Sequence, residues 1–126
     1  MNETVIKEIL RKCWSLKSST LWTENNPARG QCNVTALVIQ DCFGGKIFKT
    51  KVSDKWHFYN SIDGLSYDFT AEQFESPVEY LDLPATREEA LADLNINQYA
   101  YLSTRFKETL AKIPSSMVKK NSDTQD

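Results

Sequence analysis

A cysteine, a histidine and an aspartate in this chain have the residue types and the chain order of a nucleophilic thiol site. Cys32 follows the turn-forming segment "ENNPARGQ" and begins an apolar run whose spacing predicts a buried helix. A helix N-terminus carries unpaired amides and a partial positive charge, which favour a thiolate and can bind an oxyanion that forms beside the sulfur. The position of Cys32 therefore predicts a nucleophile.

His57 is the only histidine of the chain and is the predicted base. A nucleophilic thiol needs a group that accepts its proton, and imidazole is the commonest one. His57 lies in a predicted strand beyond the helix that Cys32 begins. It can face the thiol if the sheet packs against that helix.

Asp68 is the predicted acceptor that orients the imidazole. Asp63-Gly64 is a strong signal for a hairpin with a two-residue loop, which pairs Ile62 with Leu65. Counting outward from that pair places Asp68 diagonal to His57, within side-chain reach. A three-residue loop would send Asp68 to the other face of the sheet.

Two other residues remain alternatives to Asp68 as the acceptor. Asp63 lies in the turn, where aspartate commonly serves the turn geometry. Asn60 alternates away from His57 in a regular strand.

The chain order Cys32, His57, Asp68, with the thiol at a helix start and the other two on adjacent antiparallel strands, resembles the papain-like and transglutaminase-like thiol folds. In papain-like enzymes a glutamine six residues before the nucleophile helps to form the oxyanion hole, and Asn26 has that spacing here. Gln31 is the second candidate donor. The resemblance implies a hydrolase or acyltransferase that acts on an amide, ester or thioester.

The same residues are compatible with two other functions. A non-catalytic binding module could bind a peptide or small ligand in an aromatic groove formed by Trp22, Trp56, Phe58 and Tyr59. A redox or adduct-forming thiol would need a resolving cysteine, and none lies near Cys32 in the sequence. Cys13 and Cys42 are predicted core residues.

The composition predicts one cytoplasmic domain. The chain has 126 residues and a formal net charge of −2, which gives no long-range attraction to nucleic acid or to anionic lipid. Its N-terminus lacks the pattern of a signal peptide, and no apolar run approaches the length of a membrane span. Three cysteines are an odd, sparse count for a disulfide framework.

No metal or other cofactor is predicted, because the cysteines and the histidine lack the close paired spacings of a zinc site. The substrate, which could be a peptide or a small molecule, and the oligomeric state stay open.

The elements that must position these residues predict an α+β fold, with helices packed on a small antiparallel β-meander. Helices are predicted over 2–17, 32–43, 86–93 and 98–113, strands over 46–52, 55–61 and 65–69, and a short helical turn over 71–74. Residues 76–85, with two prolines, are predicted to be an irregular crossing. The domain is predicted to end at residue 113, and 114–126 to form a flexible polar tail.

The segments "NPARGQCNVTALVIQDCFGG", "HFYN", "DG" and "DFTAEQF" resemble the YunG-like family of small bacterial proteins. The similarity covers roughly residues 14–75, and it includes three residues ahead of the first segment: Trp14, Ser18 and Trp22. The family's cysteine and histidine match Cys32 and His57. The aspartate of its "DLT" matches Asp68, although this chain has "DFT" there. The resemblance implies a bacterial, cytoplasmic protein and supplies no substrate.

Overall fold

Five α-helices and one four-stranded antiparallel sheet make up residues 1–119, the part of the chain that this computed structural model describes. The helices are α1 (Glu3–Cys13), α2 (Cys32–Phe43), α3 (Arg87–Leu91), α4 (Ile96–Ala111) and α5 (Ser115–Lys119). The strands are β1 (Lys46–Val52), β2 (Lys55–Ile62), β3 (Leu65–Tyr67) and β4 (Leu83–Ala85), and a 3₁₀ turn spans Ala71–Gln73. The strand order is β3-β2-β1-β4. The predicted α+β class is confirmed.

Helix α2 lies between the other helices and the sheet. One side of it packs against α1 and α4, where Val34 and Val38 share a core with Leu10 and Phe106. Its other side packs against the sheet and α3. This second core is formed by Ala36, Leu37, Ile47, Phe58 and Ala90. This position between two cores explains why α2 has almost no polar face.

Both ends of α2 agree with the prediction. Gly44 caps the helix with φ +78°, a conformation that glycine adopts at little cost. Gly45 follows with φ +82°, and a Cβ there would lie 2.2 Å from the carbonyl oxygen of Ser61. The chain must therefore have glycine at this position to enter β1 beside β2.

Helix α1 is shorter than predicted because Trp14 leaves the helix. Asn2 accepts a hydrogen bond from the Val5 amide and starts the helix, and Trp14 ends it with an extended ψ of 139°. The Trp14 indole is buried, and its Nε1 donates to Thr35 Oγ1 of α2 at 2.9 Å. This buried bond joins the end of α1 to the first turns of α2.

The hairpin between β2 and β3 has the predicted register. Ile62 pairs with Leu65 across a two-residue loop, in which Asp63 (φ +52°) and Gly64 (φ +80°) are both left-handed. Strand β3 ends at Tyr67, two residues earlier than predicted. Asp68 is therefore free of the ladder and its side chain can turn toward β2.

The region 76–85 is not entirely irregular, which corrects the prediction. Its last three residues form β4, and Ala85 pairs with Ile47 of β1. Pro84 is tolerated because β4 is an edge strand, where one missing amide donor leaves no neighbour unpaired. The predicted three-stranded meander is thus extended to four strands.

The predicted tail also begins with regular structure. Residues 115–119 form α5, Val118 is buried, and the Val118 carbonyl accepts a hydrogen bond from the Asn2 amide at 2.8 Å. The remaining tail residues, 120–126, lie outside the described residues. Among the helices of residues 1–119, none combines the length and the apolar character needed to cross a bilayer.

We expect Thr35→Val to lower the free energy of unfolding by about 1–3 kcal/mol, because the buried Trp14 donor would lose its acceptor. Urea denaturation at neutral pH measures this. Thr104→Val, at an exposed position of α4, is the matched control and should change the value by less than about 0.5 kcal/mol. Equal effects of the two substitutions would contradict a structural role for the Trp14–Thr35 bond.

Candidate functional site

Cys32 is the first residue of α2 and is half-buried. No acidic side chain lies in the first turn of this helix, so none there offsets the partial positive charge of the amides. Sγ of Cys32 donates to Asn33 Oδ1 at 3.1 Å, and Asn33 Nδ2 donates to the Ala90 carbonyl at 2.9 Å. The thiol is thus held in place from the side of α3.

Gly30 fixes the approach of the chain to the thiol. It has φ +74°, and a Cβ there would lie 2.4 Å from Ser19 Oγ. Its amide donates to Gln73 Oε1 at 3.2 Å. Two contacts, one from the loop before α2 and one from the 3₁₀ turn, therefore set where Gln31 and Cys32 lie.

His57 is buried in the middle of the sheet, at the point where β3 no longer covers β2. Its Nε2 lies 2.7 Å from Asp68 Oδ2, and the two side chains are only 2% and 6% exposed. Because an ionised carboxylate can only accept, Nε2 carries the proton. Phe74 packs edge-on against the imidazole with the ring centroids 4.9 Å apart.

The second ring nitrogen of His57, Nδ1, is not bonded to Asp68. Nδ1 is buried and has no conventional hydrogen bond, since the Cys32 thiol donates to Asn33. Cys32 nevertheless lies near enough to raise the pKa of the imidazole. Burial, the largest effect, lowers the pKa of His57, but the hydrogen bonds and charges of Asp68 and Cys32 outweigh it and raise the pKa to about 9.

Asp68 is held by donors from three directions. Its Oδ1 accepts from the amide and the hydroxyl of Thr70 at 3.2 and 3.3 Å. Its Oδ2 accepts from His57 and also from the Tyr80 hydroxyl, at 2.7 Å. These bonds compensate the burial of a carboxylate and fix its direction.

Asp68, Asp63 and Asn60 were the candidates for the acceptor that orients His57. The structure places Asp68 against His57 and the other two elsewhere. Asn60 Nδ2 donates to the Ala36 carbonyl at 3.0 Å, on the side of β2 that packs against α2. Asp63 lies in the hairpin loop at the mouth of a cavity formed by α2, α4 and α5.

The two candidate oxyanion donors differ in whether their side-chain amides already form a hydrogen bond. Asn26 Nδ2 donates to the Gln73 carbonyl at 3.2 Å. Gln31 is 0% exposed, and neither its side-chain nitrogen nor its side-chain oxygen has a hydrogen-bond partner among residues 1–119. The residue before Cys32 in the chain therefore has an uncommitted donor, whereas the amide nitrogen of Asn26 is already bonded to Gln73.

The predicted aromatic groove does not form. Phe58 and Tyr59 are 5% and 1% exposed, because successive residues of a central strand are covered on both faces. Trp56 is exposed, but the ammonium groups of Lys49 and Lys51 lie 4.5 and 4.6 Å from its ring centroid. Trp22 packs against the core of the helices.

Asn33, Gln73 and Tyr80 belong to the site but were not identified from the sequence. Asn33 adjoins Cys32, and its position after the thiol was the only available signal. Gln73 lies in the predicted short helical turn, and it contacts the loop before α2. Tyr80 lies in a segment without periodicity. Within residues 1–119, no three His, Cys, Asp or Glu side chains cluster as metal ligands would.

We expect His57 to titrate near pH 9 in the folded protein, well above the usual imidazole value of about 6.5. Because the folded-state pKa is raised, the stabilisation by His57 is fully present below about pH 6.5 and is lost as the pH rises through about 9. NMR of the single imidazole measures the midpoint, and urea unfolding at several pH values measures the stability.

The matched variants are Asp68→Asn and Cys32→Ser. Both should lower the His57 midpoint, and Asp68→Asn should lower it more, because the bond to Asp68 has the larger effect on the pKa. A wild-type midpoint at or below about 6.5 would contradict the arrangement of charges described above.

The comparisons with known proteins agree with the resemblance noted in the sequence. The family model described as "YunG protein" matches residues 2–111, which extends well beyond the motif region. The "Uncharacterized protein YunG" of Bacillus subtilis (strain 168) is 58% identical over 101 residues, covering 80% of this chain and 88% of that protein. No solved structure matches significantly. This chain belongs to the YunG family.

Proposed function

We propose that the protein is a cysteine-dependent hydrolase or acyltransferase in which Cys32 is the nucleophile, His57 the base and Asp68 the group that orients the imidazole. The observation that supports this best is that the two ring nitrogens of His57 have different surroundings. Nε2 is bonded to Asp68, Nδ1 has no hydrogen-bond partner among residues 1–119, and Cys32 lies near enough to raise the pKa of the imidazole. This is the arrangement that a base needs, because its proton-accepting nitrogen is fixed and uncommitted.

The proposed reaction begins from the pair in which the Cys32 proton lies on Nδ1 of His57, because a His57 pKa of about 9 keeps the imidazole protonated at neutral pH. The sulfur attacks the carbonyl carbon of the substrate, and the C=O electron pair moves onto oxygen. The oxyanion collapses, the bond to the leaving group breaks, and the leaving group takes the proton from Nδ1. Water, or a second acceptor in an acyl transfer, then releases the acyl group from sulfur by the same steps in reverse order.

Asp68 contributes to each of these steps through the tautomer of His57. A carboxylate at Nε2 keeps the proton there in the neutral imidazole, so that Nδ1 has its lone pair available. The same carboxylate stabilises the imidazolium that forms when the thiol loses its proton.

The oxyanion is proposed to bind the amides at the start of α2 and the side chain of Gln31. The first amides of a helix have no partner within the helix, and the Gln31 amide has no partner in the structure. Asn26 is the weaker candidate because its amide nitrogen is bonded to the Gln73 carbonyl.

Other properties of the proposal follow from the same site. The substrate class is an amide, ester or thioester of a peptide or small molecule, and the core is proposed to be of the papain-like or transglutaminase-like kind. The cytoplasm is the proposed location, because the three cysteines are all free thiols. The rival proposal of a binding module loses its support, since Phe58 and Tyr59 are buried.

We expect iodoacetamide to alkylate Cys32 at pH 6–7 at least about tenfold faster than Cys13 or Cys42, because only Cys32 has an adjacent base and a helix N-terminus. Burial raises the pKa of the thiols of Cys13 and Cys42, so both serve as internal references. Peptide mass spectrometry on the folded protein gives the three rates separately.

His57→Gln is the variant that tests the pairing. A glutamine amide can still donate to Asp68, which limits the damage to the fold, but it cannot take a proton from the thiol. The rate at Cys32 should then fall toward the rates at the two reference cysteines. If Cys32 in the wild type is no faster than those references, the catalytic proposal is wrong.

Gln31→Ala should slow acylation of Cys32 by an activated ester such as p-nitrophenyl acetate by about 10- to 100-fold, because acylation forms an oxyanion. The same variant should leave alkylation by iodoacetamide nearly unchanged, since that reaction forms none. Asn26→Ala is the matched control and should change neither rate by more than about threefold. A loss of both rates in Gln31→Ala would indicate damage to the site and would remove the oxyanion role.

A further inference from the structure

Asp68 Oδ2 accepts two hydrogen bonds, and the second one comes from a part of the chain remote from the hairpin. His57 Nε2 and the Tyr80 hydroxyl both lie 2.7 Å from this one oxygen. The other carboxylate oxygen is occupied by Thr70. Tyr80 is thus the one donor to Asp68, among residues 1–119, that comes from neither β2 nor the chain directly after β3.

Tyr80 is held in place by the segment Glu79–Asp82, which we call the strap. Thr50 Oγ1 of β1 donates to the Glu79 carbonyl at 2.7 Å and accepts from the Leu81 amide at 3.1 Å. On the other side of Tyr80, the Tyr59 hydroxyl donates to Asp82 Oδ1 at 2.6 Å and accepts from the Asp82 amide at 2.7 Å.

These bonds fix the strap independently of Asp68. Thr50 and Tyr59 are fully buried, so their hydroxyls satisfy strap atoms that would otherwise lie unpaired against the sheet. Asp82 has φ +54°, an uncommon conformation outside glycine that the two bonds to Tyr59 maintain. The Tyr80 ring packs edge-on against Tyr59 with centroids 4.9 Å apart. The strap therefore holds Tyr80 in position to donate to Asp68.

We propose that Tyr80 is a positioning residue which, by sharing Oδ2 of Asp68 with His57, limits how strongly the carboxylate stabilises the protonated imidazole. The inference rests on the proposed function, in which His57 must give up and take a proton at each step. A donor that shares the oxygen withdraws electron density from it and weakens the bond to the second donor. Tyr80 then keeps the neutral, proton-accepting form of His57 populated at a lower pH.

Other charged and titratable groups lie around this cluster, and one is the Asp82 carboxylate, which accepts from Tyr59. Cys32 of α2 and Asp68 act on His57. Tyr59 and Glu3 act on Tyr80, and burial with the bond to Asp68 raises the pKa of the Tyr80 phenol. The hydroxyl therefore stays protonated and remains a donor through the range in which His57 titrates.

The test is the NMR titration of the single histidine in wild type and in Tyr80→Phe. Tyr80 is 41% exposed, so removal of its hydroxyl leaves the packing on Tyr59 and the strap bonds in place. We expect the His57 midpoint to rise by about half a pH unit. Tyr101→Phe is the matched control, because Tyr101 lies near Lys17 and away from the site, and it should leave the midpoint unchanged.

A His57 midpoint in Tyr80→Phe that is unchanged, or lower than in the wild type, would overturn the proposal. A purely structural role for Tyr80 would lower the unfolding midpoint in urea without raising the His57 titration. Alkylation of Cys32 across the same pH range separates this inference from the proposed function. If Cys32 is as slow as Cys13 in the wild type, the catalytic proposal fails, while the His57 titration still decides the role of Tyr80.

Discussion

The burial of the Asp68 carboxylate is the constraint on which the candidate site depends. A carboxylate that is only 6% exposed needs a hydrogen bond in each direction from which water has been removed. His57, Thr70 and Tyr80 supply these bonds. Each donor comes from a different place in the chain, so the requirement to satisfy one acid brings the central strand, the chain after β3 and the strap to a single point.

Helix α2 gives the thiol a position that is equally constrained. Two separate cores bury its opposite sides, and Gly30 and Gly45 allow the close approaches near its ends. A helix packed in this way can neither rotate nor slide without opening a cavity in one core or a clash in the other. The distance between the start of α2 and the middle of β2 is thereby set by the packing of the whole domain.

Local sequence signals were sufficient for the part of the site that lies close together in the chain. The start of α2 at Cys32 and the two-residue loop at Asp63-Gly64 were predicted correctly, and the loop alone brings Asp68 within reach of His57. Tyr80, Gln73 and β4 were missed because their positions depend on pairing with distant residues, such as Ala85 with Ile47. Such pairing leaves no periodicity in a short segment with two prolines. The buried environment of Gln31 is equally non-local.

The free-energy cost of burying charged groups bears on why the chain has His57 and Asp68 in its interior. Two charged groups that are removed from water seldom stabilise a fold, and apolar residues of similar size are often as stable or more so. Stability alone is therefore a weak explanation for a buried His57–Asp68 pair. Among residues 1–119, Nδ1 of His57 and the side-chain amide of Gln31 are buried without a hydrogen-bond partner. In the proposed function, a reacting group at the start of α2 would complete these hydrogen bonds.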